Sequence, residues 1–170
     1  MKPLVDVVGN QHVPEDGPIL FVSNHANRIL DVAILRAAIP RRAKFLAHTD
    51  ILNTFALFAL LYRESVIPVE DSLKAMSTAV DECKAALSNG QAIVIFPEGR
   101  AMGNGHGEYR TGAAYVAAHA QCMVTPVRIQ RTSLIRYRVT FGEPIEPPSS
   151  RDRVTLKKHT QVMKEQILAL

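Results

Sequence analysis

Residues 92–100 read Ala92-Ile93-Val94-Ile95-Phe96-Pro97-Glu98-Gly99-Arg100. The first five form a nearly continuous run of β-branched and aromatic side chains, which is typical of a strand buried on both faces. Such strands occur in parallel sheets that carry helices on either side. A proline follows and cannot donate to a ladder, so we expect the strand to end there. The run therefore predicts a central strand of an α/β sheet.

Outward from this run, strand-like and helix-like patterns alternate along the chain. The clearest helix has apolar residues at helical spacing from Leu73 to Leu87 and ends at Asn89-Gly90. The alternation predicts an α/β layered fold with a mostly parallel or mixed central sheet flanked by helices. The predicted strands are residues 5–8, 19–23, 44–47, 66–69, 92–96, 124–129 and 134–141, and the predicted helices are residues 31–38, 51–61, 72–88, about 112–121 and about 153–169.

The length and composition predict one globular domain over residues 1–170, with core motifs in residues 5–145. A hydrophobic content of 47% with 21% charged residues argues against disorder. The longest apolar run, residues 55–62, is shorter than the roughly 20 residues that span a bilayer. Two cysteines in apolar segments and the lack of a secretory signal predict the cytoplasm, free or peripheral on the inner face of the membrane.

Charge is concentrated towards the C-terminus. Residues 121–170 carry nine Lys and Arg against four Asp and Glu, whereas residues 1–120 carry eleven against twelve. A basic C-terminal third suits an anionic partner, such as a phosphorylated ligand, an acidic membrane surface or nucleic acid. A solvated basic face is an equally good interpretation of the charge alone.

His25 and Asp31 are the first candidate catalytic pair. Asn24-His25 closes an apolar strand and Asp31 opens the next helix, so a short loop can fold the carboxylate back onto the imidazole. A carboxylate on one ring nitrogen leaves the other as a proton acceptor, which is general-base chemistry. On their own, the two residues fit an ordinary strand-end histidine beside a helix cap better.

The polar residues after the central strand change that balance. Pro97, Glu98, Gly99 and Arg100 have no obvious packing purpose, and they end their strand at the same sheet edge as His25. Arg100, and Arg110 further on, carry the planar guanidinium that binds phosphate through paired donors. We expect no metal site, because the other histidines show no ligand spacing with the cysteines.

Four motifs then occur in a recognisable order. They are Asn24-His25 with Asp31, Phe96-Pro97-Glu98-Gly99, Arg110-Thr111-Gly112-Ala113, and Thr125-Pro126-Val127-Arg128-Ile129. In this order and rough spacing they resemble the phospholipid/glycerol acyltransferase family, which includes lysophosphatidate and glycerol-3-phosphate acyltransferases. Phe141-Gly142-Glu143-Pro144-Ile145 is similar to the late strand and turn of that family.

The resemblance implies an acyltransferase of phospholipid biosynthesis. In such an enzyme His25 would deprotonate an acceptor hydroxyl that attacks an acyl thioester, and Asp31 would support it. The donor would be acyl-CoA or acyl-carrier protein, and the acceptor 1-acylglycerol-3-phosphate or glycerol-3-phosphate, with another lysophospholipid as the alternative. The implied substrate-binding residues are Asn24, Phe96, Pro97, Glu98, Gly99, Arg100 and Arg110. A thioester needs no metal to react with an activated hydroxyl, so no cofactor is expected.

Two departures leave the acceptor open. Five residues separate His25 from Asp31, where the family usually has four. A second motif of the family often ends in an arginine, and this chain has Val69 at the corresponding position. Arg110 stands where many members carry a lysine, and it keeps the positive charge.

Peripheral membrane contact is a further expectation. The helix predicted at residues 51–61 is apolar on nearly every face, so it is either buried core or a surface against lipid. Basic residues could add attraction to anionic lipid of roughly 1 kcal/mol each. They are Arg131, Arg136, Arg138, Arg151, Arg153, Lys157 and Lys158.

Two other function classes compete with acyl transfer. A thioesterase or serine hydrolase would use His25 with another nucleophile, but the chain has no Gly-x-Ser-x-Gly elbow. A non-catalytic module binding lipid or nucleic acid would make the joint presence of His25, Asp31 and Glu98 a coincidence. We therefore expect no nucleic-acid partner.

Overall fold

The computed structural model describes residues 4–26, 30–50, 65–99 and 108–170. Within these residues the chain forms seven strands and four α-helices. The strands are β1 (Val5–Val8), β2 (Ile19–Ser23), β3 (Ala43–His48), β4 (Val66–Val69), β5 (Ala92–Ile95), β6 (Val124–Arg131) and β7 (Tyr137–Phe141). The helices are α1 (Leu30–Ala38), α2 (Leu73–Ser88), α3 (Gly112–Ala120) and α4 (Arg153–Ala169), and a short 3-10 helix spans Asn10–His12.

The described strands form one mixed sheet in the order β1-β7-β6-β2-β5-β3-β4. Strands β6, β2, β5, β3 and β4 are parallel to one another, whereas β7 is antiparallel to β6 and β1 runs parallel to β7. The five parallel strands therefore end at a common edge, which we call the carboxyl edge. The opposite edge is called the amino edge.

The central strands bury both faces, as the apolar run at residues 92–96 predicts. In β5, Ile93 and Ile95 pack on one side of the sheet, and Ala92 and Val94 pack on the other. Helices α2, α3 and α4 cover the first side, and α1 covers the second. This arrangement confirms the predicted α/β layered fold with a mixed sheet.

Most predicted elements occur where periodicity places them, strand β6 runs two residues further than predicted, and the largest error in a strand boundary is at the start of β7. Strand β7 begins at Tyr137 rather than at residue 134, because residues 132–136 form the turn of a hairpin closed by a hydrogen bond from Thr132 N to Arg136 O. The helix predicted at residues 51–61 lies outside the described residues. In the part of the chain that is described, no helix is both long and apolar enough to cross a bilayer.

Candidate active site

His25 and Asp31 meet at the carboxyl edge, as their spacing predicts. His25 lies in the loop after β2, and its Nδ1 is 2.9 Å from Asp31 Oδ2. The prediction that Asp31 caps the helix was wrong, because α1 begins at Leu30 and Asp31 lies in its first turn. Its Oδ2 instead turns back and accepts a hydrogen bond from Ala26 N at 3.1 Å. The Asp31 side chain is fully buried, so the loop and the helix hold one carboxylate between them.

The His25 ring is also fixed by an aromatic neighbour. Phe96 stacks on it with ring centroids 4.2 Å apart and an angle of 13° between the planes. Only 11% of the His25 side chain is exposed. Stacking on one face and a carboxylate on Nδ1 leave the ring little rotational freedom, so Nε2 keeps one direction.

Glu98 joins the two loops that form the site. Strands β2 and β5 are neighbours, with Val22 paired to Ile95, so their following loops lie side by side. Glu98 is buried, and its Oε1 accepts a hydrogen bond from His25 N at 3.1 Å. Pro97, Glu98 and Gly99 therefore lie at the same edge as His25, as predicted, and Glu98 holds the backbone of the histidine loop.

A tight turn follows β5 and brings a cation against it. Gly99 N donates to Phe96 O at 3.1 Å, and Gly99 has a φ of 69°, a left-handed conformation that favours glycine. Arg110 N donates to Pro97 O at 2.8 Å, and the Arg110 side chain crosses Gly99 so closely that a Cβ there would lie 3.1 Å from Arg110 Nε. The exposed Arg110 side chain thus lies beside the turn.

Arg100 and the glycines at 103, 105 and 107 lie outside the described residues. The contribution of the Arg100 guanidinium to anion binding therefore stays a prediction from sequence.

Asn24 has structural partners rather than an open amide. Its Nδ2 donates to Ile129 O at 3.0 Å, and its Oδ1 accepts from Ile129 N at 2.8 Å. The side chain therefore bridges the loop after β2 to the neighbouring strand β6. These bonds give Asn24 a structural role, and the substrate contact predicted for Asn24 stays a prediction.

Tyr109 lies beside the site, and the sequence assigned it no role. It is half-buried, and burial followed by the nearby Glu98 carboxylate raises the pKa of its phenol well above the ordinary range. Lys164 Nζ from α4 lies 5.6 Å from the centre of its ring. The available signal was its position directly before Arg110, which does not by itself indicate a site.

Taken together, the edge holds an imidazole with one nitrogen on a buried carboxylate. An ionised carboxylate only accepts hydrogen bonds, so it favours the tautomer with the proton on Nδ1. Nε2 then carries a lone pair and can take a proton from a hydroxyl, and Asp31 stabilises the resulting imidazolium. The arrangement suits general-base catalysis beside a surface cation.

Comparison with known proteins identifies the family. A family model described as "Acyltransferase" matches residues 4–130. The chain belongs to the acyltransferase family. This confirms the resemblance carried by the ordered motifs, and the matched segment contains His25, Asp31, Glu98 and Arg110.

Curated relatives of this acyltransferase-family chain have related names. It is 24% identical over 167 residues to a probable 1-acyl-sn-glycerol-3-phosphate acyltransferase of Mycoplasma pneumoniae, covering 84% of this chain and 62% of the relative. A protein of the same name from Mycoplasma genitalium is 27% identical over 135 residues, covering 76% and 50%. A 1-acyl-sn-glycerol-3-phosphate acyltransferase of Chlamydomonas reinhardtii is 26% identical over 131 residues, covering 75% and 39%. The chain thus spans less than two thirds of each relative.

A solved structure shares the fold of this acyltransferase-family chain. It is the 1-acyl-sn-glycerophosphate (LPA) acyltransferase PlsC from Thermotoga maritima, which superposes with a TM-score of 0.72 at 21% sequence identity. The match covers 97% of this chain and 71% of the other. At this identity the likeness supports the α/β architecture alone.

Proposed function

We propose that this chain transfers a fatty acyl group from a thioester to a hydroxyl of 1-acylglycerol-3-phosphate, with His25 as the general base. The observation that carries the proposal is the 2.9 Å contact between His25 Nδ1 and Asp31 Oδ2. The contact lies at the carboxyl edge of a chain that belongs to the acyltransferase family. The names of the three relatives support this acceptor over glycerol-3-phosphate and over other lysophospholipids.

The proposed reaction transfers one proton through His25 and replaces the carbon–sulfur bond of the thioester with a carbon–oxygen bond. His25 Nε2 takes the hydroxyl proton as the acceptor oxygen attacks the thioester carbonyl carbon. The tetrahedral intermediate collapses, the carbon–sulfur bond breaks, and the leaving thiolate takes the proton back from the imidazolium. Asp31 stabilises the positive charge between these steps. Because the thioester is already activated, the proposed reaction requires no metal or organic cofactor.

The phosphate of the acceptor would be bound by arginine. Support comes from Arg110, whose exposed side chain crosses Gly99 directly after the Phe96–Glu98 turn. A guanidinium offers paired donors that match phosphate oxygens. We include Arg100 in this role from its sequence position, one residue after Gly99.

The donor would be acyl-CoA or acyl-carrier protein, both of which present the acyl group as a thioester. We place the reaction in the cytoplasm or at the inner face of the membrane. The two buried free cysteines, Cys83 and Cys122, fit a reducing compartment.

The test is an acceptor panel assayed with both donors. Purified protein receives labelled acyl-CoA or acyl-carrier protein with glycerol-3-phosphate, 1-acylglycerol-3-phosphate or another lysophospholipid. We expect 1-acylglycerol-3-phosphate to be acylated fastest, and His25→Ala to lower kcat by roughly 10²–10⁴-fold. His12→Ala is the matched control, because His12 follows β1 and lies at the amino edge.

Two results would contradict the proposal. Unchanged turnover in His25→Ala would remove the general base. Thioester hydrolysis at a rate unaffected by any glycerol-containing acceptor would instead identify a thioesterase.

A further inference from the structure

Two large apolar side chains protrude from the hairpin between β6 and β7. Leu134 is 81% exposed and Ile135 is 64% exposed. Leu4, 61% exposed, lies beside the base of this hairpin, because its carbonyl oxygen accepts a hydrogen bond from Tyr137 N at 3.0 Å. We call this surface the apolar rim, and it consists of Leu4, Arg131, Leu134, Ile135 and Arg136.

The hairpin tip has a defined shape. Thr132 N donates to Arg136 O at 2.9 Å and closes the turn. The Arg131 guanidinium donates from Nε to Ser133 O at 3.0 Å and from Nη2 to Leu134 O at 2.6 Å. These bonds hold the backbone that carries Leu134, so its exposure is built into the turn. Adjacent exposed apolar side chains in an ordered turn indicate a contact surface.

All charged residues close to the hairpin tip in the sequence are positive. Residues 124–141 contain four arginines and no Asp or Glu. Arg138 is paired with Asp6 at 2.9 Å, whereas Arg131 and Arg136 flank the two apolar side chains. Apolar side chains between cations match the layered chemistry of an anionic bilayer, where acyl chains lie beneath phosphate headgroups.

The rim lies at the same edge as the candidate active site. Strand β6 runs parallel to β2, and the Asn24 side chain bonds both backbone groups of Ile129. Arg131 follows two residues later, about 7 Å further along the strand at the usual rise per residue. Leu30, 46% exposed and directly before Asp31, adds apolar surface to this edge. The rim therefore projects from the side of the molecule that holds His25.

We propose that the apolar rim docks the protein on an anionic bilayer by inserting Leu134 and Ile135 below the headgroups. Arg131 and Arg136 then lie at phosphate level, and the carboxyl edge faces the membrane. This inference rests on the proposed function, since it brings His25 to an acceptor that resides in the bilayer. An acidic protein is the competing partner, but a projecting tip of two adjacent aliphatic side chains suits a fluid acyl layer better than a folded surface.

The chain contains no tryptophan, which gives a direct test of insertion. Leu134→Trp places a single fluorophore at the tip, and Val154→Trp places one at a 77% exposed position at the start of α4. With vesicles of phosphatidylglycerol and phosphatidylcholine we expect a blue shift of emission from Leu134→Trp alone. An unchanged spectrum of that variant on vesicles that bind the protein would overturn the proposal.

A second variant pair measures the contribution to binding. Leu134→Ser/Ile135→Ser should bind the same vesicles roughly tenfold more weakly or worse in co-sedimentation, because both apolar side chains lose their burial in lipid. Val154→Ser should bind as the parent protein does. Equal binding by the double variant would refute the rim. So would capture of an acidic carrier protein without any vesicle binding, which would assign the surface to a protein partner.

Activity measurements separate this inference from the proposed function. We expect the double variant to acylate a water-soluble short-chain acceptor within twofold of the parent rate, and a vesicle-borne acceptor roughly tenfold more slowly at limiting lipid. Loss of vesicle binding in a protein that acylates no acceptor would refute the proposed function and keep the rim. Full activity of the double variant on vesicle-borne acceptor would refute the rim and keep the function.

Discussion

The amino edge and the carboxyl edge of the sheet use polar side chains differently. At the amino edge, the Arg41 guanidinium donates to the carbonyl oxygens of Pro14, Gly17 and Gly90 at 3.1, 2.8 and 2.7 Å. These three residues lie in the loops before β2 and β5, so one side chain ties two loops to the start of β3. At the carboxyl edge, Asp31 and Glu98 instead accept hydrogen bonds from His25.

The difference separates stability from chemistry. Arg41 bonds backbone carbonyls, which do not titrate, so its contribution is to hold the loops. Asp31 contacts a ring nitrogen of His25, a side chain that can accept and release a proton. Substitutions at the amino edge should therefore change the free energy of unfolding, and substitutions at the carboxyl edge should change turnover.

The largest expected effect is that of Asp31→Asn on turnover. The amide keeps the shape of the carboxylate but is neutral, so it stabilises an imidazolium much less, and its NH₂ group can favour the wrong tautomer of His25. We expect kcat to fall on the order of 10²–10⁴-fold with thioester donor and acceptor. Asp6→Asn is the control, because Asp6 pairs with Arg138 on the outer strand β1. A kcat within tenfold of the parent would show that Asp31 does not support the base.

Arg41→Ala should give the opposite result. It removes three hydrogen bonds from loop carbonyls, and we expect the free energy of unfolding to fall by roughly 1–3 kcal/mol with kcat unchanged. Urea unfolding measures the first quantity and steady-state kinetics the second. Arg42→Ala, which truncates the exposed neighbouring arginine, should be close to neutral. A large loss of kcat in Arg41→Ala at full folding would mean that the two edges are coupled.

Local patterns explain what could be predicted and what could not. The central strand and the histidine–carboxylate contact were predictable because each depends on residues close together in the chain. The strand follows from the run at residues 92–96, and the contact follows from the short spacing between His25 and Asp31. The Asn24 bridge to Ile129 joins residues 105 positions apart. It depends on β6 lying next to β2, and strand order cannot be deduced from periodicity.

The hairpin tip shows a second limit of sequence reasoning. Leu134 and Ile135 are aliphatic and stand at the start of a strand-like stretch, so the sequence predicts that they begin the last strand. The structure uses them in a turn, because the guanidinium of Arg131 binds the turn carbonyls. An exposed aliphatic side chain in a turn and a buried aliphatic side chain in a strand look the same in the sequence.

A third prediction concerns the turn after β5. Gly99→Ala places a Cβ at φ 69° and 3.1 Å from Arg110 Nε. We expect a loss of stability of about 1–2 kcal/mol from the left-handed conformation. The displaced Arg110 should also raise the KM for the phosphate-bearing acceptor more than the KM for the donor.

Gly112→Ala is the matched control for that turn. A Cβ at Gly112, the first residue of α3, meets nothing within 4 Å. This variant should be neutral or slightly stabilising, since alanine favours helix. Equal destabilisation of both variants would show that the turn after β5 is not specifically strained.

The smallest expected effect tests the cap of α4, far in sequence from the His25 and Asp31 pair. Asp152 accepts hydrogen bonds from Val154 N at 2.9 Å and Thr155 N at 3.0 Å, and contacts Ser150 Oγ. The Ser150 hydroxyl, followed by Thr155, holds the pKa of the Asp152 carboxyl well below its ordinary value. At a pH between the lowered pKa and the ordinary pKa of an aspartate, the unfolded chain therefore binds more protons than the folded chain. The cap thus stabilises the fold fully at neutral pH and less in acid.

We expect Asp152→Ala to unfold more easily in urea than the parent by a constant amount from about pH 5 to 8, and this difference in stability to narrow below about pH 4. Asp16→Ala, at an exposed loop position, should show no comparable gap, and kcat should be unchanged in both variants. A gap that widens in acid would contradict the lowered pKa, and a loss of kcat would show that α4 contributes to the carboxyl edge as well as to the fold.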